Sequence, residues 1–294
     1  MMIREPVRAG MFYPASAEEC RRTAGRLTSA AAAAGLTGRR LYGGIVPHAG
    51  WTFSGAVAGT VFATLAQSRR PDVMVLFGAV HYQRGHHAWV FGSGRWETPL
   101  GAVEVEARLS ERICGHTNLV LDDPNAHEGE HSIEVQLPLL QVALPDCKVV
   151  PVLVPPGPAA VEVGQAVAGT IEAYGYDAVV VGSTDLTHYG PSYGMTSHGR
   201  GREGIAWAKE VNDRRMIDLI LGLDAAGIVP EAGEHQNACG AGAVAATVAA
   251  AARLGAREGV LLQHTSSAEI MASAGVEDSV GYAGVVFADQ PART

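Results

Sequence analysis

Short apolar runs alternate along the chain with longer stretches of helical periodicity. Residues 43–46, 72–77, 148–154 and 178–181 are apolar and β-branched, and Gly, Pro or Asp bounds them. Runs of that length and composition predict buried strands. Residues 17–34, 55–66, 161–174, 204–223 and 240–254 carry helical spacing. Val57, Ala58, Val61 and Leu65 share one face of the second, and Ile205, Val211, Met216, Leu219 and Ile220 trace a stripe along the fourth. Residues 260–264 and 283–287 add two late strands. The alternation predicts an α/β fold with a mainly parallel or mixed central sheet and helices on both faces. Pro155-Pro156-Gly157-Pro158 follows a strand and precedes a helix, so it reads as a connecting loop. No stretch is polar enough to split the chain, and one domain over 1–294 is expected.

Composition narrows the partners. Hydrophobic residues make up 47% and charged residues 18%, which supports a packed core rather than disorder. The 22 basic and 30 acidic residues give a net charge of -8, and the basic residues form only short pairs such as Arg39-Arg40 and Arg69-Arg70, so nucleic acid is not an expected partner. No run reaches the ~18 apolar residues of a membrane span, and the N-terminal MMIREPVRAG lacks the apolar core of a secretory signal. Cys20, Cys114, Cys147 and Cys239 show no close spacing. Reduced thiols and a cytoplasmic location are the expectation.

Candidate chemistry is positional. GGIVPHAG ends one strand on His48, VMVLFGAVHY another on His81, and VVVGSTDLTHYG a third on Asp185 and His188. Ligands of open parallel sheets bind outside the carboxyl ends of the strands, so three imidazoles arrive at one edge. Converging imidazoles suggest Zn, Fe, Cu or Ni. Taken singly, His48 also fits a turn, and His188 a bond to Asp185. Cys239 precedes the Ala-rich helix; that setting favours a thiolate ligand or nucleophile, and the alternative is a thiol packed as a small hydrophobe.

His127-Glu128-Gly129-Glu130-His131 spells the H-E-x-x-H zinc-protease pattern, which needs one continuous helix. Gly129 inside it and Asp122-Asp123-Pro124-Asn125 ahead of it argue for a loop, with Ser132 capping a helix that begins afterwards. His131 stays a site candidate; His127 and Glu128 are weaker. His86-His87 reads as a solvated pair or a rim, His198 as part of a mobile loop, and Trp51 and Tyr189 as pocket walls or packing. His235 lies near Cys239 as an outer residue at most. Arg84, Arg95, Arg200 and Arg202 are the cations near the strand ends.

The motifs IVPHAGW, FGAVHY, EHSIEVQLPLL, GSTDLTHYG, NACGAGA and SVGYAG, with VRAGMFYPAS ahead of them, resemble in that order the MEMO family, including its members called AmmeMemoRadiSam system protein B. The resemblance spans about residues 7–287. It implies the fold of LigB-type class III extradiol dioxygenases, and a metal held by His48, His81 and Cys239. By the same resemblance His188 is the acid or base, His131 a substrate-side histidine, and Asp185 an orienting group. It puts a thiol where the dioxygenases carry a carboxylate. A thiolate binds Cu(I) and Fe well and is itself oxidisable. Fe(II) is the expected metal, with Cu next and Zn after it. A redox enzyme acting on a small aromatic or peptide-derived substrate is the first expectation. A peptide- or phosphopeptide-binding adaptor and a metal-dependent hydrolase are the alternatives. An oligomer is compatible with the sequence.

Overall fold

The computed structural model describes residues 2–29, 35–82, 85–272 and 275–290. At its centre four parallel strands stand in the order Leu41–Val46, Ala178–Ser183, Val73–Gly78 and Lys148–Leu153. Ser279–Ala288 flanks them antiparallel beside Leu41–Val46 and also pairs with Glu258–Ser266 and His188–Tyr189. Ala88–Val90 joins the other flank antiparallel, with Val120–Asp122 outside it. The sheet is therefore mixed, with a purely parallel core, as the apolar runs predicted.

Alternation along these strands feeds two apolar layers. Val75, Phe77, Val150, Val152 and Val180 face Ala160–Tyr174 and Ala241–Leu254, whereas Met74, Leu76, Val149, Val179 and Val181 face Ala17–Leu27, Trp51–Ser68 and Leu137–Ala143. Successive side chains point to opposite faces, so a strand apolar throughout must be covered twice. Each fully buried Val or Leu contributes about 1.5–3 kcal/mol, and that drive holds the helices on both sides.

Several boundaries depart from the sequence-based expectation. Helix Trp51–Ser68 starts four residues before position 55, directly behind Gly50. The first helix runs Ala17–Leu27, and the expected continuation to 34 reaches residues 30–34, outside the described ones. The expected 204–223 helix comprises Arg202–Trp207, a π turn at Ala208–Asn212, and Asp213–Leu221. The π turn presents Asn212, whose Nδ2 donates to Thr187 Oγ1, next to the Asp213 carboxylate that accepts from the Thr187 amide. Both bonds pin the strand end that carries His188. No described helix is long and apolar enough to cross a membrane.

Candidate metal centre

The carboxyl ends of the central strands converge as the sequence predicted. His48 lies two residues beyond Leu41–Val46, and Asp185 two beyond Ala178–Ser183. The buried Asp185 carboxylate accepts the amides of His48 (2.8 Å) and Ala49 (3.3 Å), so it clasps two loops together. Burial pushes the Asp185 carboxyl up, and the His48 amide opposes that rise. The His48 ring is fully buried, with Nδ1 2.9 Å from Ser183 Oγ. Ser183 Oγ donates its own proton to Ser132 O at 2.8 Å. His48 Nδ1 is therefore the protonated donor, and Nε2 keeps its lone pair.

His81 lies three residues beyond Val73–Gly78. Its amide donates to Glu130 Oε2 at 2.8 Å, and its Nδ1 lies 3.0 and 3.1 Å from the two carboxylate oxygens. The same carboxylate accepts the amides of His131 (2.7 Å) and Ser132 (2.9 Å). Burial alone would raise the Glu130 carboxyl; the His81 side chain and the Ser132 amide outweigh it and hold it below the usual carboxylate range. The rings of His48, His81 and His131 have centroids 4.8–5.4 Å apart. One ligand atom from each lies within 4.8 Å of the others, so the three can meet at a single ion. Burial lowers His48 well below the ordinary imidazole value and His131 to about 4. Rings held neutral keep the lone pairs that metals bind.

Cys239 Sγ lies 3.2 Å from His48 Nε2 and accepts the Asp185 amide at 3.3 Å. The thiol thus shares the lone pair that a metal on His48 would take, although it is not part of the three-imidazole set. Gly240 is required next to it, because a Cβ there would stand 2.3 Å from Ser183 O. Proximity to the start of helix Ala241–Leu254 predicted a stabilised thiolate. Instead burial, with the Asp185 charge adding, pushes the thiol up to about 12. Burial outweighs the helix end, and a thiolate here calls for a cation in the pocket. Two or three imidazoles and one soft sulfur make a donor set that fits Fe, Cu or Zn.

His188 lines the same cavity, of about 500 Å³. It does not bond Asp185: its Nδ1 donates to Leu186 O at 3.0 Å, which leaves Nε2 as an acceptor. Phe12, Phe53, Met271 and Tyr282 supply apolar walls, and Asp278 lies at the rim. Sequence reasoning named His48, His81, His131, Asp185, His188 and Cys239, and the fold brings all six to this cavity. It missed Glu130 and Ser183, which act through backbone amides and ring nitrogens that no spacing reveals.

Other candidates lie elsewhere. The H-E-x-x-H segment is not a helix: Pro124–His127 is a 3-10 turn and Gly129 has φ +76°. Ser132 does not cap the helix: its hydroxyl donates to Ala79 O, and Ile133 holds the cap position of the 3-10 turn Glu134–Gln136 that leads into Leu137–Ala143. Trp51 donates to Val135 O and Tyr189 to Gly199 O, so both pack. His198 stacks on Trp207, and His235 meets Arg215. His86 lines a separate small cavity. Arg200 and Arg202 line another cavity, Arg95 pairs with Glu97, and Arg84 lies outside the described residues.

A family model described as Memo-like protein matches residues 4–286. A MEMO1 family protein of Pyrobaculum aerophilum is 35% identical over 295 residues, covering 98% of this chain and 99% of that protein. MEMO1 family proteins of Methanopyrus kandleri and Pyrococcus abyssi are 36% and 35% identical, each covering 97% of this chain and 99% of its own length.

Proposed function

The chain belongs to the Memo-like protein family, and from that premise we propose that it is a metal-dependent redox protein of the non-haem iron or copper type. Its substrate in this reading is a small aromatic or peptide-derived molecule. His48, His81 and Cys239 are the proposed ligands, with Fe(II) the preferred ion, and His131 stands beside them on the substrate side. The observation that carries the reading is the convergence of three imidazoles within 4.8 Å, next to a sulfur 3.2 Å from one of them. A bound iron or copper supplies one-electron chemistry and open positions for dioxygen and substrate.

The chain's own residues supply the rest. Ser183 and Glu130 hold the Nδ1 protons of His48 and His81 and turn Nε2 of each into the donor. His188, protonated at Nδ1 by its bond to Leu186 O, presents Nε2 as the base for a substrate hydroxyl. Phe12, Phe53 and Tyr282 favour an aromatic ring and exclude water. The test is anaerobic loading with Fe(II), followed by dioxygen uptake against a panel of catechols and phenols. Uptake that depends on both metal and phenol supports the reading; a loaded protein inert to every member counts against it.

One observation favours a second reading, a peptide-binding module. Tyr193 and Met271, which line the cavity, are about half exposed and offer an apolar mouth. No Arg or Lys is among the residues lining that cavity, which weakens a phosphate-binding version.

A further inference from the structure

We propose that Glu130 is the positioning residue of the centre: its carboxylate fixes His81 in the tautomer that aims a bare Nε2 at the metal. The inference rests on the metal-centre reading above and adds a residue to it. Glu130 is buried, at 3% exposure, and the hydrogen bonds of its side chain go to His81, His131 and Ser132. Its oxygens meet His81 Nδ1 at 3.0 and 3.1 Å and accept the amides of His81, His131 and Ser132. One carboxylate thereby fixes the ring of one histidine and the backbone of two. An ionised carboxylate has no proton to give, so the hydrogen between it and His81 belongs to Nδ1. Nε2 is then the nitrogen left to face a metal.

The setting of Glu130 separates this role from plain packing. A carboxylate that only braced the turn would need the three amides, which other acceptors could satisfy. The bond to His81 Nδ1 adds the carboxylate–histidine pairing that tunes metal ligands, worth about 10–100-fold in metal affinity. The neighbouring acid in the same segment, Glu128, makes no such contact with His81. His48 has a neutral hydroxyl, Ser183 Oγ, in the corresponding position. The negative charge is thus placed behind only one of the two ligands.

The experiment uses the full-length, metal-free protein labelled with ¹⁵N, whose histidine tautomers are read from long-range ¹H–¹⁵N spectra. Wild-type His81 is expected as the Nδ1–H tautomer. In Glu130→Gln the side-chain amide offers its NH₂ to Nδ1 as readily as its oxygen, so His81 should become a mixture or switch to Nε2–H. His188, held by Leu186 O, should keep its tautomer and serves as the internal check on folding. In parallel, Co(II) affinity should fall about 10–100-fold in Glu130→Gln and recover in part in Glu130→Asp. Wild-type His81 protonated at Nε2 overturns the proposal, and so does a folded Glu130→Gln variant with unchanged tautomer and unchanged Co(II) affinity. If Glu130→Gln does not fold, the wild-type tautomer and the Glu130→Asp titration decide. If the wild type binds no Co(II), the metal reading fails, while the tautomer comparison still judges what Glu130 does to His81.

Discussion

His127 and His131 stand four residues apart in one five-residue pattern and end up in opposite surroundings. His127 is fully buried, donates from Nε2 to Trp89 O at 3.1 Å, and sits edge-on to Phe91 and Trp96. Arg4 bridges this box to the turn, pairing with Glu134 at 2.6 Å and donating from Nε to His127 O. His131 faces the cavity, stacked on His81 and edge-on to Phe12. The turn at Gly129 separates the two. Identical side chains thus divide the work: one locks the segment down, and the other presents it. Chemistry follows the sheet edge that a residue reaches and not the motif that it spells.

Breaking the buried half should cost the most stability. Arg4→Ala removes the guanidinium from Glu134 and from over the Trp96 ring, and should destabilise the fold by about 3–5 kcal/mol in urea unfolding. A loss under 1 kcal/mol would show that the N-terminal segment does not anchor the turn. His127→Ala follows, at about 2–4 kcal/mol, because it leaves a cavity and an unpaired Trp89 carbonyl. Metal stoichiometry should survive that change; its loss would mean that the two halves are not separable.

The acid limb sharpens the same contrast. Burial, with the Arg4 charge adding, lowers His127 to about 3, below the ~6.5 of an unfolded imidazole. The unfolded chain takes up the proton first, so this contribution is complete above about pH 6.5 and lost as pH falls toward 3. Between pH 6.5 and 4.5 the loss is about 2–3 kcal/mol. Replacing His127 by Gln should flatten that part of the stability curve; an unchanged slope would assign it to other groups. The smallest structural effect belongs to the half that faces the cavity. His131→Ala should change stability by no more than about 1 kcal/mol, while dioxygen uptake by the Fe(II)-loaded protein falls. Unfolding on that substitution would make His131 a packing residue like His127.

Much of this was legible in the chain. The parallel strands were visible because β-branched runs bounded by Gly, Pro or Asp have few other structures available. The site was visible because strand ends deliver it. The short strands Ala88–Val90 and Val120–Asp122 were not, since three residues carry no period. Helix Ala225–His235, with Pro230 inside it, offered little helical signal either. Glu130 stayed hidden because its role depends on a positive-φ turn and on bonds to His81, 49 residues away in sequence. The upward push on the Cys239 thiol was not legible, because helix-end position can be read from sequence, whereas burial cannot.

The central claim is that a single transition-metal ion joins His48, His81 and Cys239 at the sheet edge. Co(II) titration of the metal-free protein tests it most directly, because cobalt bound to a thiolate absorbs in a sulfur-to-metal charge-transfer band. The band should rise to one equivalent in the wild type, disappear in Cys239→Ser and in His48→Ala, and persist in His131→Ala. A wild-type spectrum without the band, or a band that survives Cys239→Ser, would contradict the account.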